Sequence, residues 1–175
     1  MKITWDDIST HLVYCNMKNI SIKIYTHSEF YEIVYGNGGC PKFPKLEQTI
    51  RYFSFKDLCY CYDEETRKNR EGGLYIVMYD KSNIIGIIRL GLNTYIKSHK
   101  QLYISYFSID EKYQGKGLSY KMLDILFHYS KENNIILEGS TRTDKGKERL
   151  GKNIDRYAID YDVKYIPSEF NYHFL

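Results

Sequence analysis

The sequence predicts a mixed α/β (α+β) domain. Strand-like apolar runs alternate with two amphipathic helical stripes, and no Gly/Ser/Pro-rich linker divides the chain. The 175 residues are 43% apolar and 27% charged. That is enough for one core, so residues 1–175 are expected to fold as a single domain, with 1–20 an N-terminal extension of unassigned role. Aromatics at 16% exclude an acidic disordered chain. The 25 basic and 22 acidic residues leave a net +3, short of a nucleic-acid footprint but compatible with anionic small ligands.

Each element follows from local pattern. Ile22 and Ile24 alternate with Lys23 and Tyr25 over 21–26 and read as a first strand. His27 to Tyr35 reads as a helix with Ser28 as its N-cap, and Gly36 to Pro44 is a loop by its turn residues. Leu46, Ile50, Phe53, Leu58 and Tyr62 fit a helix imperfectly, with a strand over Thr49 to Phe55 as the alternative. Leu74 to Tyr79 and Ile84 to Gly91 form a hairpin around Asp-Lys-Ser-Asn, and Leu102 to Ile109 follows a polar loop as the next strand. Leu118, Met122, Ile125, Leu126 and Tyr129 mark one face of a helix that Asn133-Asn134 ends. Ile135 to Leu137 is a short strand. Leu150, Ile154, Tyr157, Ala158 and Tyr161 repeat the helical spacing, and Val163 to Ile166 and Phe170 to Phe174 close the chain as strands.

The amino terminus lacks an apolar signal run, and Ile84 to Ile88 is far below the roughly 20 apolar residues that span a bilayer, so a cytoplasmic, non-membrane protein is expected. Cys15, Cys40, Cys59 and Cys61 have no paired spacing and are expected as buried free thiols. The five histidines show no metal-ligand spacing, and no metal is expected. Arg142 to Arg156 holds six basic and three acidic residues and reads as a solvated helix face.

Chemistry concentrates in Ile109-Asp-Glu-Lys-Tyr-Gln114-Gly-Lys-Gly117-Leu-Ser119, between the clearest strand and the clearest helix. Backbone N–H groups of a glycine turn at a helix N-terminus converge on one point, where the helix dipole adds positive charge and favours an anionic phosphate. Glycine at 115 and 117 permits positive φ and close approach of a ligand, and Lys116 adds charge from the rim. A Walker loop does not fit, because Lys116 is followed by Gly117 rather than a hydroxyl residue. A dinucleotide fingerprint does not fit either, because position 120 is Tyr.

The stretch resembles the acetyl-CoA signature of the Gcn5-related N-acetyltransferase (GNAT) superfamily, Gln/Arg-x-x-Gly-x-Gly/Ala. Gln114, Gly117 and Ser119 fall on its three fixed positions, and Ser119 departs from the usual Gly or Ala. The resemblance implies a mixed, mostly antiparallel twisted sheet of about six to seven strands with flanking helices. It implies acetyl-CoA as co-substrate, with backbone groups of Phe107 and Ile109 holding the pantetheine arm and Gln114, Gly115, Lys116, Gly117, Leu118 and Ser119 holding the pyrophosphate. It further implies direct transfer of acetyl to a primary amine, with a tyrosine on the last helix as acid. Tyr157 is the first candidate, sharing a helical face with Asn153, and Tyr161 the second; both also fit a packing role.

Glu138, at the end of a short strand, is the candidate base, against the plainer reading of a solvated strand-end glutamate; Ser108 is a candidate water holder. The expected partners are acetyl-CoA and an amine acceptor, small molecule or protein, with no membrane and with nucleic acid disfavoured. The competing readings are a catalytically inactive CoA-binding or interaction module on the same fold, and a small nucleic-acid-binding protein. Neither the acceptor nor the oligomeric state is written in the sequence.

Overall fold

The computed structural model describes residues 12–13, 19–36, 39–60, 62–63, 68–69, 73–92, 101–139 and 147–167. Their order is β1 (Leu12–Val13), β2 (Ile20–Thr26), α1 (His27–Tyr35), α2 (Leu46–Thr49), α3 (Phe55–Tyr60), β3 (Tyr62–Asp63), β4 (Lys68–Asn69), β5 (Gly73–Asp80), β6 (Asn83–Leu92), β7 (Gln101–Ile109), α4 (Leu118–Glu132), β8 (Ile136–Gly139), α5 (Lys152–Asp160) and β9 (Tyr165–Ile166). Seven strands form one sheet in the order β1-β2-β5-β6-β7-β8-β9, and β3 and β4 make a separate two-stranded ribbon.

Neighbours are antiparallel from β1 to β7, whereas β7–β8 and β8–β9 are parallel. The parallel pairs need crossovers, which α4 and α5 supply. Both helices pack on one sheet face, in a core that includes Ile76, Leu90, Leu102, Met122, Leu126, Phe127 and Ile154. On the other face, Phe30, Val34, Leu46, Ile50 and Leu58 from α1 to α3 meet Tyr75, Val77, Tyr79 and Ile87. Alternate residues of β5 feed the two cores, which is why Leu74 to Tyr79 reads as an unbroken apolar run.

Several local expectations change. Thr26, not Ser28, caps α1, because its hydroxyl accepts from the Glu29 amide while the Glu29 carboxylate accepts from the Thr26 amide (2.7 Å), a capping box. The imperfect stripe after Leu46 is two short helices joined by a segment containing Tyr52 at φ 69. Ile50 and Phe53 are buried there without continuing either helix. Cys40 and Cys59 are exposed rather than buried, while Cys15 and Cys61 lie outside the described residues. The strand expected over Phe170 to Phe174 and the basic residues Arg142 and Lys145 also lie outside them. Part of the N-terminal twenty residues has a place in the sheet, since Leu12 and Val13 pair with Lys23 and Ile22 at its edge. Among the described residues no helix is long and apolar enough to cross a membrane.

Candidate active site at the β7–α4 turn

Strand β7 carries the site, and a bulge sets which way its residues face. Leu90 pairs with Ile104 but Arg89 with Tyr106, so Ser105 is the extra residue. Leu102 and Ile104 join the α4-side core before it, and Phe107 and Ile109 pack there after it.

Backbone direction follows from one hydrogen bond. The Asp110 amide donates to the Ile85 carbonyl on β6 (2.9 Å). In an antiparallel ladder, main-chain groups alternate between the two neighbours residue by residue. Phe107 and Ile109 therefore turn theirs away from β6. On that side the described pairing with β8 stops at Ile104–Gly139. The two positions singled out from the sequence thus turn their peptide groups toward a stretch where β7 has outrun its described parallel partner.

Beyond Ile109 the chain makes a short 3₁₀ turn, Glu111–Tyr113, capped by Asp110, whose carboxylate accepts from the Lys112 amide (3.0 Å). Gln114 then folds back, and its Nε2 donates to the Ile109 carbonyl (2.9 Å). Gly115 and Gly117 both stand at φ 74, a left-handed conformation that side chains other than glycine's adopt at a cost. Among the described residues, a Cβ at Gly115 would meet nothing within 4 Å, and one at Gly117 would meet only Tyr120 Cδ2 at 3.9 Å. Backbone conformation, not crowding by the described residues, favours glycine at both positions, and their Cβ directions point into open space.

Gly117 is the N-cap of α4 and supplies no side-chain cap; the first turn holds no acidic residue. The N-terminal end of a 15-residue helix therefore presents its partial positive charge to that open space. Lys116 reaches back over the Tyr113 ring, 4.9 Å from its centroid, and the Tyr113 hydroxyl donates to the Asp80 carboxylate at the end of β5 (2.8 Å). The bond to Asp80 raises the Tyr113 pKa and ties the exposed turn to the sheet.

Helix α5 lies along α4. The Tyr157 hydroxyl donates to the Tyr120 carbonyl in the first turn of α4 (3.3 Å), and the Tyr161 hydroxyl donates to Asp124 Oδ1 one turn further on (3.1 Å). The two rings stack at 5.9 Å with 8° between planes, and Phe127 packs against both. Burial, then the nearby Asp124 charge, push the Tyr157 pKa up, and Arg156 over its ring partly offsets them. Burial and the bond to Asp124 push Tyr161 up to about 12.

Glu138 is a half-buried residue of β8, flanked by β7 and β9, rather than a solvated strand end. The Gln101 amide donates to its Oε2 (3.0 Å). Its neighbour Leu137 belongs to the α4-side core, so Glu138 occupies the opposite face, with Ser108. The structure thus joins Gln114 to the strand exit and Tyr157 to the first turn of α4. It keeps Glu138 on the other side of the sheet.

Sequence reasoning missed Gln101, Asp124 and the Tyr113–Asp80 pair. Each partner comes from a strand or helix whose register no local pattern encodes.

The acetyltransferase (GNAT) family model matches residues 40–146, well over half of the chain, and these include β5 to β8 and the turn. The chain belongs to this acetyltransferase family. None of the curated proteins matches it. Among solved structures it is similar to Ard1 from Thermoplasma volcanium, at 16% identity over 80% of this chain and 82% of that one, with a TM-score of 0.50. It is also similar to an aminoglycoside acetyltransferase from an uncultured soil metagenomic sample, solved with sisomicin, at 15% identity over 90% and 97% of the two chains, with a TM-score of 0.51. At these identities the likeness is one of fold: a mixed sheet with flanking helices, as family membership leads one to expect. The GNAT protein is accordingly an N-acetyltransferase by family, and that family uses acetyl-CoA.

Proposed function

We propose that this GNAT protein binds acetyl-CoA at the β7–α4 turn and transfers its acetyl group directly to a primary amine. The observation that carries the reading is the pair of left-handed glycines, 115 and 117, at a helix N-terminus without a side-chain cap, with none of the described residues crowding their Cβ positions.

The turn suits a pyrophosphate. Gly115 to Ser119 would surround it with N–H groups, with Lys116 at the rim, while the Gln114 N–H donates to the Glu111 carbonyl (3.2 Å) and its side chain braces the turn. The outward peptide groups of Phe107 and Ile109 would take the hydrogen bonds of a pantetheine amide chain. Gln114 already donates to the Ile109 carbonyl, so the Ile109 amide and both groups of Phe107 are the groups of β7 best suited to that role.

Acetyl-CoA supplies the acetyl group as an activated thioester. The amine nitrogen forms the new bond to carbon as the carbon–sulfur bond breaks, so one proton must leave the nitrogen and one must reach the sulfur. Tyr157 is the acid, since its hydroxyl lies against the first turn of α4 and is held by a long bond to a carbonyl. Tyr161 is less suited, because its proton is held by a carboxylate. Glu138, oriented by Gln101, is the base and acts through solvent.

The experiment is a thiol-detection assay of CoA release across a panel of primary amines comprising polyamines, aminoglycosides, free amino acids and lysine-containing peptides. Amine-dependent release is the expected result. Binding of acetyl-CoA without release from any of them would favour an inactive CoA-binding module instead.

A further inference from the structure

Asp124 was not singled out by any sequence pattern, yet it stands where two phenols meet. Its Oδ1 accepts the Tyr161 hydroxyl at 3.1 Å, and Tyr161 stacks on Tyr157 at 5.9 Å with nearly parallel planes. Tyr157 in turn rests its hydroxyl on Tyr120, four residues before Asp124 on the same helix. A half-buried carboxylate that accepts a phenolic proton fixes that phenol more firmly than a neutral acceptor does. Here the fixed ring is the wall against which Tyr157 lies.

We propose that Asp124 and Tyr161 form a latch that positions Tyr157, making Asp124 a positioning residue for the acid rather than part of the chemistry. The inference rests on the reading of Tyr157 given above. Other charged groups near the latch are Arg156, whose guanidinium lies 5.5 Å from the Tyr157 ring centroid, and Asp160, which acts on Tyr161; both belong to α5. Neither makes the α4-to-α5 bond that Asp124 makes. Burial, and after it the bond to Asp124, raise the Tyr161 pKa, and the second of these agrees with the latch because a carboxylate acceptor favours the neutral phenol.

The test uses the full chain with ring-labelled tyrosine, observed by carbon NMR, with signals assigned from Tyr157→Phe and Tyr161→Phe. Two readouts are followed. In the first, Tyr161 ionises at a higher pH in the wild type than in Asp124→Asn, where burial still raises its pKa but the carboxylate no longer adds to it. In the second, coenzyme A shifts the Tyr157 signal in the wild type, and the shift is lost in Asp124→Ala and Tyr161→Phe while calorimetric affinity for coenzyme A stays within about twofold. An unmoved Tyr161 midpoint, or a Tyr157 shift that survives in Asp124→Ala, overturns the latch. A wild-type chain that binds no coenzyme A brings down the proposed function, and the positioning role falls with it. A chain that binds coenzyme A without any Tyr157 response brings down the acid assignment and the positioning role together, leaving cofactor binding intact.

Discussion

The side-chain amide of Gln114 donates to the carbonyl of Ile109, five residues back, at 2.9 Å. That bond closes the loop between the end of β7 and the start of α4. It also takes up one lone pair of the outward Ile109 carbonyl. The glutamine is thus a brace for the turn. Replacing Gln114 with Leu should loosen acetyl-CoA binding by about two- to tenfold, the range set by the loss of one neutral hydrogen bond. Calorimetric titration of the variant measures it, and far-ultraviolet circular dichroism checks that the fold is kept.

Gly117 stands at φ 74 with only Tyr120 near its missing Cβ. Gly117→Ala should therefore cost about 1–2 kcal/mol of stability from backbone strain alone. Urea denaturation would read this as a lower midpoint with an unchanged slope. Gly117→Glu adds a carboxylate at the helix N-terminus and should abolish acetyl-CoA binding in a chain that still folds.

Tyr157 should matter to the chemical step and not to binding. Tyr157→Phe is expected to lower kcat by about 10²- to 10⁴-fold, the usual contribution of a positioned acid, with acetyl-CoA affinity preserved. Because burial and Asp124 raise its pKa, the acid form persists at neutral pH. The alkaline limb of kcat assigned to this group should lie above the ordinary tyrosine value of about 10. The pH profile of CoA release, using whichever amine of the panel reacts, checks both statements.

The end of α5 offers a pH test that does not involve the site. Lys131 Nζ meets Asp162 Oδ2 at 2.6 Å, and this hydrogen bond and charge hold the exposed Asp162 carboxyl below its ordinary 3.8. A folded-state pKa below the unfolded one adds stability above the unfolded value and loses it as pH falls through the folded one. The wild type should therefore melt slightly above Lys131→Met near neutral pH. The difference should shrink as pH falls through the lowered Asp162 value, leaving what the Lys131 bond to the Asp162 main-chain carbonyl (3.1 Å) contributes, as thermal melts at several pH values would show.

Much of this architecture was legible because the strongest signals were local. The α4 stripe from Leu118 to Tyr129, the buried run of β5 and the glycine spacing at 115 and 117 depend on period and conformation within a few residues. What could not be read depended on register. The Ser105 bulge reverses which residues of β7 face α4, and nothing in Gln101 to Ile109 announces it. Glu138 looked like an exposed strand end until β9 placed a strand beyond it and Gln101 a donor on it. Among the tyrosines, composition could not separate Tyr157 from Tyr161. Their closest hydroxyl partners do, since Tyr157 reaches a carbonyl in the first turn of α4 at 3.3 Å and Tyr161 the Asp124 carboxylate at 3.1 Å, with Asp124 acting on both phenols.

Calorimetric titration of the full chain with acetyl-CoA tests the central claim most directly, with Gly117→Glu as its control. Saturable binding near one site per chain, absent in the variant, is the predicted result. No heat and no thermal shift at millimolar acetyl-CoA, or equal binding by wild type and Gly117→Glu, would contradict it.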